Sequence, residues 1–159
     1  SGSMLHPKHN FSVPVLCGTV VGNSYLSRGA SVSVYVFSGE GDAVVFGPSR
    51  DKSALHEKIR SYFGGGTVFA PDVLYGAIGR LKDVTDVAVV SDMVIENLAK
   101  FINSIKELPK IHRVHLFCTG YSDIHETFSG SKNVVVKNVF KESDISSIVM
   151  GDMRQGYGV

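Results

Sequence analysis

Two stretches of this chain, VAVV within Asp86–Val90 and VVV within Asn133–Val139, are apolar runs with no alternating polar residue. A strand that shows one face to water alternates apolar with polar residues. A strand without alternation belongs between two covering layers, as in a sheet with helices on each side. Arg113–Cys118 (RVHLFC) reads as a further strand. Ser31–Phe37 (SVSVYVF) and Asp42–Phe46 (DAVVF) read as two further strands joined by a short connection, which predicts a hairpin.

Between these runs the apolar period changes from two to about 3.6. Asp51–Tyr62 places Leu55, Ile59 and Tyr62 on one face, with Ser49 or Asp51 as N-cap. Pro71–Leu81 carries Pro in its first turn and a stripe of Leu74, Ala77, Ile78 and Leu81. Ile95–Leu108 repeats Ile95, Leu98, Ile102 and Ile105 before Pro109 stops it. Ser12–Arg28 has low helix propensity because of Pro14, Gly18 and Gly22. Pro14 is tolerated in a first turn, the two glycines share a face where a sheet could approach, and Gly29 sits where a C′ residue belongs. A last helix is predicted from Ser143 to about Met153, and a short one before Asn133. The order is α-β-β-α-α-β-α-β-(short α)-β-α. The expected class is α/β: a doubly wound, mostly parallel central sheet with one antiparallel edge strand and helices on both faces.

The 159 residues suit a single domain, 1–159, and 43% hydrophobic content supplies a core. Sixteen Lys+Arg against fifteen Asp+Glu leave a formal charge of +1 with no basic block, which argues against nucleic-acid backbone binding and membrane-surface anchoring. No apolar run reaches ~18 residues, so no membrane span is expected. Cys17 and Cys118 form no CxxC pair, which points to a reducing, cytoplasmic setting.

Ligands of open α/β sheets bind outside the carboxyl ends of the strands. There the chain offers Ser38-Gly39, Ser91-Asp92, Thr119-Gly120 and the loop Gly64-Gly65-Gly66-Thr67, with Ser1-Gly2-Ser3 ahead of the first helix. These are hydroxyls and one carboxylate. Hard oxygen donors of that kind suit Mg²⁺, which keeps several waters. Taken alone, Thr67 is a turn residue after three glycines and Asp92 a helix cap. His6, His9, His112, His115 and His125 lack the spacing of a zinc set. The glycine loop lacks the Lys of a phosphate-binding loop, and no G-x-G-x-x-G follows a strand.

Ser1-Gly2-Ser3-Met4, FGGGTVFAPDVLYGAI at Phe63–Ile78, VAVVSD at Val87–Asp92 and YVFS at Tyr35–Ser38 together resemble the von Willebrand factor A domain. That family carries a metal-ion-dependent adhesion site built from a D-x-S-x-S loop, a distant Thr and a distant Asp. The resemblance assigns Ser1 and Ser3 to the loop serines, Thr67 to the threonine and Asp92 to the last aspartate, as ligands of Mg²⁺ (or Mn²⁺ or Ca²⁺) bound weakly. The family's first strand and first Asp are not present before Ser1. The resemblance therefore implies the C-terminal part of a longer protein, truncated before that strand. A cloning remnant at Ser1–Met4 is the competing reading of this end.

The function implied is a metal-dependent protein-interaction module that binds an Asp or Glu of a partner protein. An AAA ATPase or its client is the partner class suggested by intracellular family members. A metal-independent interaction domain and a metal-assisted hydrolase are the alternatives. The hydrolase ranks lower, since no general base stands out beyond Asp92. An unfilled central strand position would leave open edges that invite association.

Overall fold

The computed structural model describes residues 12–61, 65–81, 85–108, 112–120 and 123–147. Over these residues it is a mixed α/β fold with a three-stranded parallel sheet, a two-stranded antiparallel sheet and six helical segments.

Helix α1 (Val13–Ser27) starts on Ser12 and accommodates Pro14 in its first turn. Gly29 follows its C-cap with φ +80°, where a residue without Cβ closes the turn at no steric cost. Gly18 and Gly22 do permit a close approach, but to a helix and not to a sheet. A Cβ on Gly22 would lie 3.0 Å from Leu55 of α2, and one on Gly18 3.3 Å from Ile59. Strand β1 (Val32–Val36) pairs antiparallel with β2 (Val44–Ser49). The predicted second strand began at Asp42 and stopped at Phe46. The strand found is displaced toward Ser49, through a register shift between Val32 and Val34 opposite Gly47, whose φ is +99°.

Helix α2 (Lys52–Ile59) is capped by Asp51, whose Oδ1 accepts from the Ser53 and Ala54 amides at 2.8 and 3.1 Å. It stops short of the predicted Tyr62, which lies outside the described residues. Helix α3 (Pro71–Ile78) begins with Pro71 at N1 and is shorter than the predicted span to Leu81. Strand β3 (Asp86–Ser91), helix α4 (Leu98–Glu107), strand β4 (Arg113–Cys118), helix α5 (Ile124–Phe128) and strand β5 (Val134–Asn138) follow. Residues 142–147 are helical, and Asp144 reaches back to accept from the Phe140 and Lys141 amides. The remainder of the helix predicted to Met153 lies outside the described residues.

The parallel sheet has the order β3-β4-β5, in register from Asp86↔Arg113 and from Val114↔Val134. One face sends Val87, Val114, Leu116, Cys118 and Val134 into the main core with Leu74 and Ile78 of α3, Phe101 and Ile105 of α4, and Phe128 of α5. The other sends Phe117 into a second core with Cys17 and Val21 of α1, Val139 and Ile145. Helices therefore pack on both faces of this sheet.

Two expectations need correction. The hairpin is not the edge of one continuous sheet: among the described residues no strand hydrogen-bonds to both β1 and β3, so there are two sheets. The apolar runs in β3 and β5 are not covered on both faces either, since Ala88 is exposed and Val135 is 42% exposed. Both strands are edges of a three-stranded sheet. Only the middle strand β4 keeps Val114, Leu116, Phe117 and Cys118 all buried.

The two sheets are nonetheless tied together. Tyr35 of β1 donates its hydroxyl to the Ala70 carbonyl (2.9 Å) and accepts from the Ala70 amide (3.0 Å). Its ring and those of Phe37, Phe69 and Phe101 form a chain of stacked and edge-on contacts at 5.1–6.1 Å into the main core. Helix α1 packs on both β1 and β3 from the opposite side. No helix among the described residues is long and apolar enough to cross a membrane.

Candidate functional site

The carboxyl ends of β1 and β3 meet at the loop formed by residues 65–70. The Val68 amide donates to the Ser38 carbonyl at 2.6 Å, just beyond β1. On the other side, just beyond β3, the Glu96 amide donates to the Thr67 carbonyl at 3.1 Å, and Glu96 Oε1 accepts from the Thr67 amide at 3.0 Å. Asn97 completes the attachment: its Oδ1 accepts from the Phe69 amide and its Nδ2 donates to the Phe69 carbonyl, both at 2.8 Å. The carboxamide thus pairs with a backbone as a neighbouring strand would. It also explains why α4 begins at Leu98 and not at the predicted Ile95, since residues 95–97 form the clamp.

The turn after β3 is set by its own side chains. Ser91 Oγ accepts from the Met93 amide at 3.0 Å and Asp92 Oδ1 from the Val94 amide at 3.1 Å. Met93 has φ +62°, a left-handed conformation that costs a residue with Cβ about 1 kcal/mol, while its side chain is buried in the main core. Gly120, after β4, lies against the same turn. A Cβ there would sit 2.7 Å from the Asp92 carbonyl oxygen, so the close contact requires glycine.

Of the four predicted metal ligands, Thr67 and Asp92 flank this one loop junction at the carboxyl edge. Ser1 and Ser3 lie outside the described residues. Thr67 is 7% exposed, held through its backbone, and its hydroxyl makes no hydrogen bond among the described residues. Asp92 uses one oxygen for its own turn, and the other is unengaged among the described residues. A hydroxyl and a carboxylate oxygen match the donor chemistry of a hard divalent cation. No group of three or more His, Cys, Asp or Glu converges among the described residues, so a nitrogen–sulfur or carboxylate-rich centre finds no donors there.

Glu96 and Asn97 were missed by reading the sequence, which places them inside the helix predicted from Ile95. Their true task is visible only once a loop from elsewhere in the chain lies against them. Three of the four described histidines carry structural bonds: His56 with Asn23, His112 Nδ1 accepting from the Thr85 amide, and His125 with Asn138, while the His115 ring stacks on Phe117. Cys17 and Cys118 are free and buried, and burial pushes their thiols up to about 12 and about 11. At neutral pH they are packing residues and not nucleophiles. Compared with protein-family models, with curated proteins and with solved structures, the chain matches none of them.

Proposed function

We propose that the chain is a binding module of the von Willebrand factor A type, which uses a Mg²⁺-type ion at the carboxyl edge to engage an Asp or Glu of a partner protein. The observation that carries this reading is the pair Thr67 and Asp92, two oxygens left unengaged at one hydrogen-bonded loop junction beside the strained Met93. Ser1 and Ser3 would complete the donor set. The ion supplies an electrophilic position for a carboxylate oxygen. Thr67 offers a neutral oxygen from a backbone clamped by Glu96 and Asn97, and Asp92 offers charge from a turn fixed by Ser91 and Gly120. Preorganisation of this kind limits the ordering cost on binding. A partner drawn from AAA ATPases or their clients, and a cytoplasmic setting, belong to the same proposal.

Thermal melts with and without millimolar Mg²⁺ or Mn²⁺ test it. Binding to the native state alone adds about 2.7 kcal/mol at a hundredfold excess over Kd. The expected result is a small rise in Tm that Asp92→Ala abolishes, with a peptide bearing a carboxylate binding only when the metal is present. Equal rises in both proteins would place the ion elsewhere. A metal-independent interaction domain would then be the better account.

A further inference from the structure

Successive residues of a strand point to opposite faces, so Val34 and Val36 of β1 lie on the face opposite Tyr35. The hairpin register sets Val34 against Phe46 and Val36 against Val44. Four apolar side chains thus stand together on one face, while Tyr35 packs into the main core on the other. None of the four belongs to either hydrophobic core. Helix α2 packs on both strands but matches them poorly. Its apolar residues Leu55 and Ile59 lie against Gly22 and Gly18 of α1. Facing the hairpin are the Lys58 ammonium, 5.9 Å from the centre of the Phe46 ring, and Ser61 just beyond the helix. A cavity of about 240 Å³ remains between them and the four hairpin side chains. Val44, which lines it, is 48% exposed, so the cavity opens to solvent.

Among the described residues lining this cavity, Lys58 is the only charged one. Its ammonium meets Glu57 at 3.2 Å, with the two side chains 42% and 75% exposed. An exposed pair of that kind contributes little and leaves further ammonium hydrogens to donate. The Ser61 hydroxyl is already spent on the Glu57 carbonyl at 3.2 Å.

We propose that the cavity binds a small aliphatic carboxylate, with a chain of about six to eight carbons on the four apolar side chains and its carboxylate on Lys58. The volume holds about eight groups the size of a water molecule, which limits the occupant to that length. Valine and phenylalanine side chains make no hydrogen bonds, so the buried part of the ligand is hydrocarbon. A single ammonium balances a monoanionic head; a phosphate calls for the fork of an arginine or for several donors. The occupant is a free acid and not a polypeptide end, which would bring amide groups over a floor of side chains that offers them no partner. The cavity shares no residue with the carboxyl-edge site, and neither reading depends on the other.

The test uses the full chain in metal-free buffer and follows the valine methyl signals and the amides of 32–36 and 44–49 by NMR. Butanoate, hexanoate and octanoate are the probes. Saturable shifts confined to the hairpin and the end of α2 are expected, with affinity rising about two- to fourfold for each added methylene. Lys58→Gln should weaken octanoate about fivefold and leave neutral octanol unchanged. Val44→Asp, at an exposed position whose retained fold the same spectra report, should abolish octanoate binding through like charge. The proposal is overturned by the absence of saturable shifts at millimolar octanoate, or by shifts centred elsewhere. Octanol binding as tightly as octanoate, or an unaltered affinity in Lys58→Gln, overturns it too. Tighter binding of a peptide that ends in a leucine carboxylate makes a polypeptide the occupant. Shifts that follow protein concentration without any acid, with a dimer in sedimentation, make a second copy the occupant; either result overturns the proposal.

Discussion

Strand β3 begins with one aspartate and is followed by another, and their surroundings are opposite. At the amino end, Asp86 is fully engaged: Arg113 Nε and Nη2 donate to it at 2.7 and 2.9 Å, and Tyr25 donates at 2.7 Å. At the carboxyl end, Asp92 spends one oxygen on its own turn and keeps the other unengaged among the described residues. The first ties α1, β3 and β4 together. The second leaves a charge available at an edge whose loops are already fastened by other residues. Stability and, in the proposed reading, binding are thus separated along a strand of six residues. An aspartate's role cannot be inferred from its place beside a strand without asking which donors reach it.

The sharpest way to break this comparison is to loosen the edge claimed to be preorganised. Asn97→Ala strips the partners from both the amide and the carbonyl of Phe69, and it should lower stability in urea unfolding by about 2 kcal/mol. A loss near zero would mean that the carboxyl edge is not held as described. Asp86→Ala should cost about 1 kcal/mol in the same measurement, a figure kept low because the Arg113 side chain is 51% exposed. The amino edge also carries a pH signature. Burial, followed by the Asp86 hydrogen bond and charge, raises the Tyr25 hydroxyl well above its ordinary value. The folded state therefore holds that proton more tightly than the unfolded state, so the associated stability is complete below the ordinary tyrosine range and is lost as pH rises through and beyond it. Chemical denaturation at rising alkaline pH should show a steeper decline for the wild type than for Tyr25→Phe. The smallest effect is expected at the opposite end: Asp92→Ala without metal should change stability by no more than about 0.5 kcal/mol. A larger loss would make Asp92 structural and remove the contrast between the two ends.

Most elements were legible because each has a local cause. Asp51 before an apolar stripe, Pro71 at a helix start and Gly29 beyond a helix end act within a few residues of where they stand. Arg113–Cys118 was legible as a strand, but not its burial on both faces, where Val114, Leu116, Phe117 and Cys118 are all covered. The argument from unbroken apolar runs overstated β3 and β5, since composition indicates what a strand tolerates and not how many neighbours it has. The limits of α4 and the clamp of Glu96 and Asn97 were invisible for a related reason. They depend on a loop nearly thirty residues earlier in the chain, as the separations of 28 and 29 show. Thr67 and Asp92 stood out through resemblance and position. Their hydrogen bonds account for how they are held, and the metal experiment bears on what they hold.

The clamp at Asn97 also gives the molecule a chemical clock. Hydrolysis of that carboxamide to a carboxylate changes the mass by about one dalton and leaves the volume almost unaltered, yet it replaces the NH₂ donor with an acceptor. The new oxygen would face the Phe69 carbonyl, and a paired contact would become a repulsive one. An aged sample would therefore hold Phe69 less firmly, while the bonds of Thr67 and Val68 and every element of secondary structure persisted. While the loop stays clamped, the same two bonds hold the carboxamide still and slow its own hydrolysis, so opening and ageing of this corner reinforce each other.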